Sequence, residues 1–207
     1  RLMSHQKDGA WRVLTGGNTM LAHEVGSGKT WTMIAAAMEA RRLGLARKPV
    51  FVVPNHMVVQ FATDFQRLYP DATLLVPDKA DYQKANRNTL LNRVITGDWD
   101  GIVVPQSQFT LIRPRADTYE LYMSDQIAQL EEILLERHGQ GLVDDRTQKQ
   151  IRGQLAKLQQ KLDNEVAKLR ERQKDQPPWD DLGVDMLFVD EAQDYKNLFF
   201  VTRLGRI

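Results

Sequence analysis

Residues 21–30 read LAHEVGSGKT, and the stretch Gly26–Thr30 (GSGKT) within them has the pattern of a phosphate-binding loop. Such a loop points several backbone N–H groups at one spot, and only glycine lets the backbone come that close to a phosphate. The Lys29 ammonium suits the β and γ phosphates of a nucleotide, and the Thr30 hydroxyl suits Mg²⁺. The pattern predicts a site for a nucleoside triphosphate.

The flanks of this phosphate loop have the context that the motif needs, a strand before it and a helix after it. Residues 18–22 (NTMLA) have strand-like composition, and residues 30–42 (TWTMIAAAMEARR) are good helix formers that stop at Gly44. The helix would turn its positive N-terminal end toward the bound anion. The alternative is a glycine turn with an incidental lysine, and the flanking context argues against it.

Further along the chain, short apolar runs alternate with helical patterns. We predict strands over residues 50–53, 73–76, 101–104 and 186–189, and helices over 4–15, 55–69 and 89–96. Ser4 and Asn55 are candidate N-caps for the first two of these helices. Continuous apolar runs fit strands buried on both faces, so the alternation predicts an α/β fold with a central, mainly parallel sheet.

The pattern changes near residue 118, where the chain becomes rich in Leu, Gln, Lys, Arg and Glu. Apolar residues recur at spacings of three and four, as in a coiled-coil seam. They are Met123, Ile127, Leu130, Leu134, Ile151, Leu155, Leu158, Leu162, Val166 and Leu169. We predict an antiparallel helical hairpin over residues 118–177, with Asp144 or Asp145 capping its second helix. Its charges are either a solvated face or a docking arm for nucleic acid or a partner.

After the hairpin, the apolar run 186–189 leads directly into Asp190 and Glu191. A phosphate loop needs such an acidic pair as its partner: Asp190 can hold Mg²⁺, and Glu191 can orient and deprotonate an attacking water. Two carboxylates after a strand can also be an ordinary surface turn. The phosphate loop upstream favours the catalytic interpretation, with Lys29 and Glu191 as catalytic residues and Thr30 and Asp190 as Mg²⁺ ligands.

Composition sets the outer limits. The chain has 207 residues, 42% of them hydrophobic and 27% charged, with a formal net charge of +1, which is ordinary for a globular domain with an appendage. There are no cysteines, which excludes disulfides and thiolate zinc sites and fits a reducing cytoplasm. No apolar run approaches membrane-spanning length, so we expect no membrane partner.

The two motifs together resemble motifs I and II of superfamily 2 helicases and translocases, the DEAD/DEAH-box-like proteins. The Swi/Snf-like branch is most similar, with L-A-D-E-M-G-L-G-K-T as its motif I. This chain has His23, Val25 and Ser27 where that branch has Asp, Met and Leu, and none of these changes removes a phosphate ligand. The resemblance implies a RecA-like fold, ATP and Mg²⁺ as cofactors, and an ATP-binding segment of Val25, Gly26, Ser27, Gly28, Lys29 and Thr30.

Other positions match the family one at a time. Gln6, in Ser4-His5-Gln6, resembles the adenine-reading glutamine, and an amide can donate and accept at once. Pro54, Asn55 and His56 resemble motif Ia, which contacts the nucleic-acid backbone, and Ser107 lies in a looser match to another such motif. Gln193 resembles the residue that couples nucleotide state to nucleic-acid contacts.

The resemblance covers residues 1–117 and 178–207, the first RecA-like domain, with residues 118–177 as an insertion. A similar insertion is familiar from large, cytoplasmic helicase-like proteins of bacterial mobile elements and phages, some with an adenine methyltransferase. We expect the second RecA-like domain to lie outside this sequence, so that the fragment alone has little activity.

The expected function is therefore the ATP-binding motor domain of a nucleic-acid-dependent ATPase, a helicase or translocase acting on double-stranded DNA. One alternative is a nucleotide-dependent switch or scaffold that uses the helical hairpin to recruit a partner. A phosphate-loop kinase is a weaker third, because no acceptor-binding or lid segment is recognisable.

Overall fold

The apolar runs form a parallel sheet. The computed structural model describes residues 2–24, 26–139 and 144–195. The strands are β1 (Pro49–Val53), β2 (Leu74–Leu75), β3 (Gly101–Pro105) and β4 (Met186–Val189). Within the described residues their order is β2-β3-β1-β4, and each neighbouring pair is parallel. β1 is buried along its whole length, as expected for a central strand covered on both faces.

Seven α-helices occur in the described ranges. They are α1 (Ser4–Gly16), α2 (Lys29–Arg42), α3 (Val58–Leu68), α4 (Arg87–Thr96), α5 (Gln106–Phe109), α6 (Ala116–Gly139) and α7 (Asp145–Gln173). Short 3₁₀ turns cover Asn55–Met57, Trp179–Asp181 and Ala192–Tyr195. Helices separate consecutive parallel strands, because a parallel pair needs a crossover connection. The α/β class is confirmed.

Aromatic packing around β1 holds the sheet to its helices. The Phe51 ring stacks on that of Phe188 from β4, with ring centroids 5.0 Å apart. It also contacts the rings of Phe61 and Phe65 of α3, at centroid distances of 5.0 and 5.6 Å. Phe51, Phe61 and Phe65 are almost completely buried. This cluster fixes the register of β1 against β4 and so fixes where the residues after each strand emerge.

The predicted strand over residues 18–22 is wrong, because these residues have no regular secondary structure. Asn18, Met20 and Ala22 are exposed, and Met20 retains 83% of its accessible surface. Within the described sheet, β4 pairs with β1 and has no strand on its other side. Strand-like composition alone did not supply the ladder of hydrogen bonds that defines a strand.

The two predicted N-caps are also wrong. Met3 is the N-cap of α1, and its N–H donates to Oε1 of Gln6 at 2.9 Å, while Ser4 is already helical. Asn55 begins a 3₁₀ turn before α3, and its Oδ1 instead accepts the N–H of Ser107 at 3.3 Å. The predicted strand 73–76 shortens to β2, because only two of its residues pair with β3.

α6 and α7 pack side by side through a shared apolar seam. The residues that form its buried centre are Ala116, Met123, Ile127, Leu134, Leu155, Leu162, Val166 and Leu169. Arg170 near the end of α7 pairs with Asp117 and Glu120 near the start of α6, so the helices run antiparallel. Asp144 caps α7 by accepting the Thr147 N–H at 3.1 Å, which resolves the choice left open above. Leu130 was predicted in the seam and is instead exposed.

Contacts divide the chain into two compact units, one within residues 1–111 and 183–207 and the other within residues 112–182. The second unit extends beyond the predicted range 118–177 at both ends. It contains the α6–α7 pair and the 3₁₀ turn Trp179–Asp181. None of the helices in the described ranges has the length and hydrophobicity needed to cross a membrane.

Candidate functional site

The phosphate loop has the backbone shape that its glycines predict. Gly26 and Gly28 have φ angles of 83° and 79°, in the left-handed region that favours glycine. Ser27 is half-buried, and its Oγ has no hydrogen-bond partner among the described residues. Val25 lies outside the described residues. The loop therefore combines two left-handed glycines with a buried hydroxyl that no described group satisfies.

Lys29, the first residue of α2, folds back over this loop. Its Nζ donates to the carbonyl oxygens of His23 and Glu24 at 3.0 and 3.1 Å. Two carbonyl dipoles thus hold an ammonium that has no carboxylate within salt-bridge distance among the described residues. Thr30 follows in the first turn of α2, half-buried, where backbone N–H groups have no intrahelical partner. The start of α2 accordingly offers a mobile cation, a hydroxyl and free N–H groups to an anion.

Helix α1 braces the loop from the other side. Gln6 is buried, and its Nε2 donates to the Gly28 carbonyl at 3.3 Å while its Oε1 accepts from Met3. His5 Nε2 donates to the Ser27 carbonyl at 2.8 Å, and its ring meets that of His23 edge-on with centroids 5.9 Å apart. The predicted adenine reader thus contacts the phosphate loop directly. The role of His5 was not predicted, although His5 directly precedes Gln6, because a lone histidine is more often structural than functional.

The acidic pair follows β4, where the chain leaves the sheet. The Asp190 N–H still donates to Val52 at 2.8 Å, which fixes its position beside β1. Burial raises the pKa of Asp190, and the nearby Glu191 charge raises it further, whereas the Glu191 N–H at 3.1 Å and the Lys29 charge lower it. The Lys29 charge thus acts on Asp190, so the start of α2 and the end of β4 lie in the same region of the molecule.

Glu191 has an unusual backbone, with φ at 52°. A non-glycine residue in this left-handed region carries strain of roughly 1–3 kcal/mol, and such strain is common at functional sites. The conformation turns the exposed Glu191 side chain toward Gln193, whose Nε2 donates to Glu191 Oε2. The predicted catalytic and coupling residues are therefore joined by a direct hydrogen bond.

A second set of polar residues follows β1 and β3. The Gln106 Nε2 donates to the Asp190 carbonyl at 3.1 Å, and Asn55 accepts from Ser107. Pro54 is buried, whereas Asn55, His56 and Ser107 are exposed. The carboxyl ends of parallel strands meet at one edge of a sheet, which is where α/β proteins bind ligands. The sequence did not predict the contact of Gln106 with Asp190, although the place of Gln106 directly after a strand was a usable signal.

These residues fit an Mg²⁺-nucleotide better than a metal ion alone. No group of three or more His, Asp or Glu side chains in the described part of the chain has metal-binding geometry. Mg²⁺ usually keeps several waters and takes one or two protein ligands together with substrate phosphates. Asp190 with Thr30 is a donor set of that size, and the orphaned Ser27 hydroxyl and glycine-lined loop suit the phosphates.

Comparison with known proteins places the chain in a family. The search of curated proteins gave no match. The sequence model of a family described as a probable helicase domain matches residues 11–207, which include the phosphate loop and the acidic pair. Because the match extends over nearly all of the sequence, this chain belongs to the probable helicase domain family.

Proposed function

We propose that this chain is the ATP-binding motor domain of a nucleic-acid-dependent ATPase, of the Swi/Snf-like branch of superfamily 2. The observation that carries the proposal is the combination of a left-handed glycine loop at the start of α2 with an acidic pair at the end of β4, because a phosphate loop and an acidic strand end together hold an Mg²⁺-nucleotide. Helicase-type function follows from the family. The ATP, the Mg²⁺ and the double-stranded DNA track are the proposed additions.

The proposed roles follow from the contacts. Lys29 leaves the carbonyls of His23 and Glu24 and binds the β and γ phosphates, while the loop N–H groups hold the remaining oxygens. Thr30 and Asp190 hold Mg²⁺. ATP with Mg²⁺ supplies the phosphoryl group that is transferred to water. An anionic Asp190 is favoured when a cation is near, since a neighbouring positive charge opposes the effect of burial on its pKa.

Glu191 is the proposed base. Its carboxylate is exposed and accepts from Gln193, so it is available to orient a water and take its proton. The same hydrogen bond makes Gln193 the proposed link to nucleic acid, because a change at Glu191 alters its partner. Pro54, Asn55, His56 and Ser107 are the proposed backbone contacts, at the strand-end edge that also holds Asp190.

The nucleotide part of the proposal is tested by binding of a fluorescent ATP analogue, with and without Mg²⁺, to the 207-residue chain. Lys29→Ala should weaken binding at least about tenfold, since a charge-assisted hydrogen bond contributes roughly 1.5–3 kcal/mol. Lys84→Ala, an exposed lysine away from the loop, is the matched control. Asp190→Asn should remove the gain from Mg²⁺ and retain Mg²⁺-free binding. Equal affinities for wild type and Lys29→Ala would refute the proposal.

The motor part needs the full-length protein. Duplex DNA should stimulate its ATP hydrolysis, and Glu191→Gln should abolish hydrolysis while nucleotide binding persists. If the wild type hydrolyses ATP at the same rate with and without nucleic acid, the alternative of a nucleotide-dependent switch is favoured instead.

A further inference from the structure

The α6–α7 pair has an uneven surface. Five large hydrophobic side chains on α6 are exposed, whereas none on α7 is among the exposed large hydrophobics of the described residues. Those on α6 are Leu121, Tyr122, Leu130, Ile133 and Leu135. Single exposed apolar residues are normal on a protein surface, whereas apolar residues on the same side of a helix mark an interaction surface.

One of these leucines, Leu135, lines a groove between the helices. The groove has a volume of about 450 Å³, an apolar floor of Ile127, Leu134 and Leu155, and walls that include Leu135 and Ala156. Leu121 lies two heptads before Leu135, so both leucines lie on the same side of α6, about 21 Å apart along its axis. They are 75% and 57% exposed. This length and spacing match the apolar stripe of a third helix.

Charge determines what kind of helix fits. α6 has six carboxylates and one arginine, whereas α7 has eight lysines and arginines and four carboxylates. At the groove itself, Glu131 lies on the α6 side and Arg152 on the α7 side. A complementary helix therefore has Lys or Arg along its edge against α6 and Glu or Asp along its edge against α7.

A second copy of this chain does not meet these requirements. Its α6 offers exposed leucines, but with an excess of carboxylates that would face the carboxylates of the first α6. Its α7 offers positive charge, but none of its large apolar side chains is exposed in the described structure. The apolar stripe and the basic edge must come together on one helix, and neither α6 nor α7 combines them.

We propose that the groove between α6 and α7 is a docking site for an amphipathic helix of a partner protein, with a leucine-type stripe at heptad spacing and a basic edge that lies along α6. Docking would complete a three-helix bundle and bury Leu121 and Leu135. Every residue that forms the site lies within residues 112–182, so binding is measured without nucleotide.

The test uses a fluorescein-labelled synthetic peptide of about three heptads, with leucines at the seam, lysines on one edge and glutamates on the other. Fluorescence anisotropy measures its binding to the 207-residue chain without nucleotide. We expect saturable binding, and at least about tenfold weaker binding of a peptide with the two charged edges exchanged. Absence of saturable binding at millimolar peptide, or equal binding of both peptides, would overturn the proposal.

Substitutions locate the binding face. Leu121→Ser with Leu135→Ser should weaken binding at least about tenfold, since buried apolar anchors dominate helix-in-groove affinity. Ile133→Ser is the matched control, because Ile133 is 48% exposed on the same helix but lies roughly 160° around it from Leu135. Circular dichroism confirms that each variant remains helical. An equal loss in the control variant contradicts the assignment of the face.

A charge reversal provides a gain of binding that no unfolding could imitate. Glu131→Lys should weaken the first peptide and strengthen the peptide with exchanged edges. Sedimentation of the chain alone tests whether a second copy of the chain occupies the groove instead. If the wild type is a dimer and Leu135→Ser dissociates it, a second copy fills the groove and the proposal is wrong.

Discussion

Substitution of Gly28 by alanine tests how tightly α1 and the phosphate loop depend on each other. Gly28 has φ at 79°, and a Cβ built there would overlap the Nε2 atom of Gln6. Gly26 is nearly identical in backbone, with φ at 83°, but a Cβ there would meet nothing within 4 Å. The two glycines therefore form a matched pair that separates backbone strain from the Gln6 contact.

The expected costs follow from these two geometries. Left-handed backbone costs a non-glycine residue about 1–2 kcal/mol, and alanine returns about 0.4–1 kcal/mol by restricting the unfolded chain, so Gly26→Ala should cost about 1 kcal/mol. Gly28→Ala has the same cost and also displaces Gln6, which loses its bonds to Gly28 and Met3. Each buried hydrogen bond contributes about 0.5–1.5 kcal/mol, so the total becomes about 2–4 kcal/mol.

Urea denaturation followed by tryptophan fluorescence measures these free energies of unfolding. The decisive comparison adds Gln6→Ala: with the amide gone, Gly28→Ala should cost no more than Gly26→Ala, which gives a coupling of about 1–3 kcal/mol between positions 6 and 28. Equal costs for the two glycine variants in the wild-type background would refute the reasoning. So would a Gly28→Ala cost that is unchanged when Gln6 is alanine.

Three further predictions concern other parts of the chain. Asp190→Asn should raise the free energy of unfolding at neutral pH, because burial raises the pKa of Asp190 and so disfavours its ionised form. In urea denaturation at a series of pH values, this stabilisation should disappear as the pH falls through the raised pKa. Phe51→Ala should cost about 3–5 kcal/mol by removing the central ring of the core, against less than about 0.5 kcal/mol for the exposed Val59→Ala, both measured by urea denaturation. Asp144→Ala should reduce the helix content measured by circular dichroism at neutral pH. The difference from the wild type should disappear in acid. The hydrogen bonds from Thr147 lower the pKa of Asp144, and their contribution is lost when the Asp144 carboxylate is protonated.

The elements that the sequence predicted well are those in which local pattern and tertiary burial agree. β1 is an uninterrupted apolar run, and the structure buries every residue of it. α2 combines helix-forming residues with a glycine stop, and it ends close to the predicted position, with Gly44 at φ 71°. The α6–α7 seam follows coiled-coil spacing, which depends only on helix geometry. In these cases, no knowledge of distant residues was needed.

The failures occur where a partner from elsewhere in the chain decides the outcome. Residues 18–22 have strand-like composition, but a strand exists only when another strand supplies its hydrogen bonds. Asn55 has the side chain of a helix cap, but the N–H of Ser107, far along the chain, takes its oxygen. A side-chain oxygen can accept a hydrogen bond from a local N–H or from a distant one, and the sequence shows only the local donor.

The candidate site shows both situations at once. The positions of its individual parts were predictable because each is a short local motif. These parts are the glycines at positive φ, the lysine at a helix start and the carboxylates after a strand. Their connections were not predictable, because the hydrogen bonds from Gln6 to Gly28 and from Gln106 to Asp190 each join segments separated by many residues. Parallel topology explains why the second nevertheless arises, since residues that directly follow parallel strands of one sheet emerge at the same edge. No such rule predicts the contact between Gln6 and Gly28, because α1 could pack in many ways. Only the close fit of the Gln6 amide against Gly28 selects the observed packing. That is why substitution of Gly28, rather than of Lys29 or Asp190, is the more demanding test of how this site is assembled.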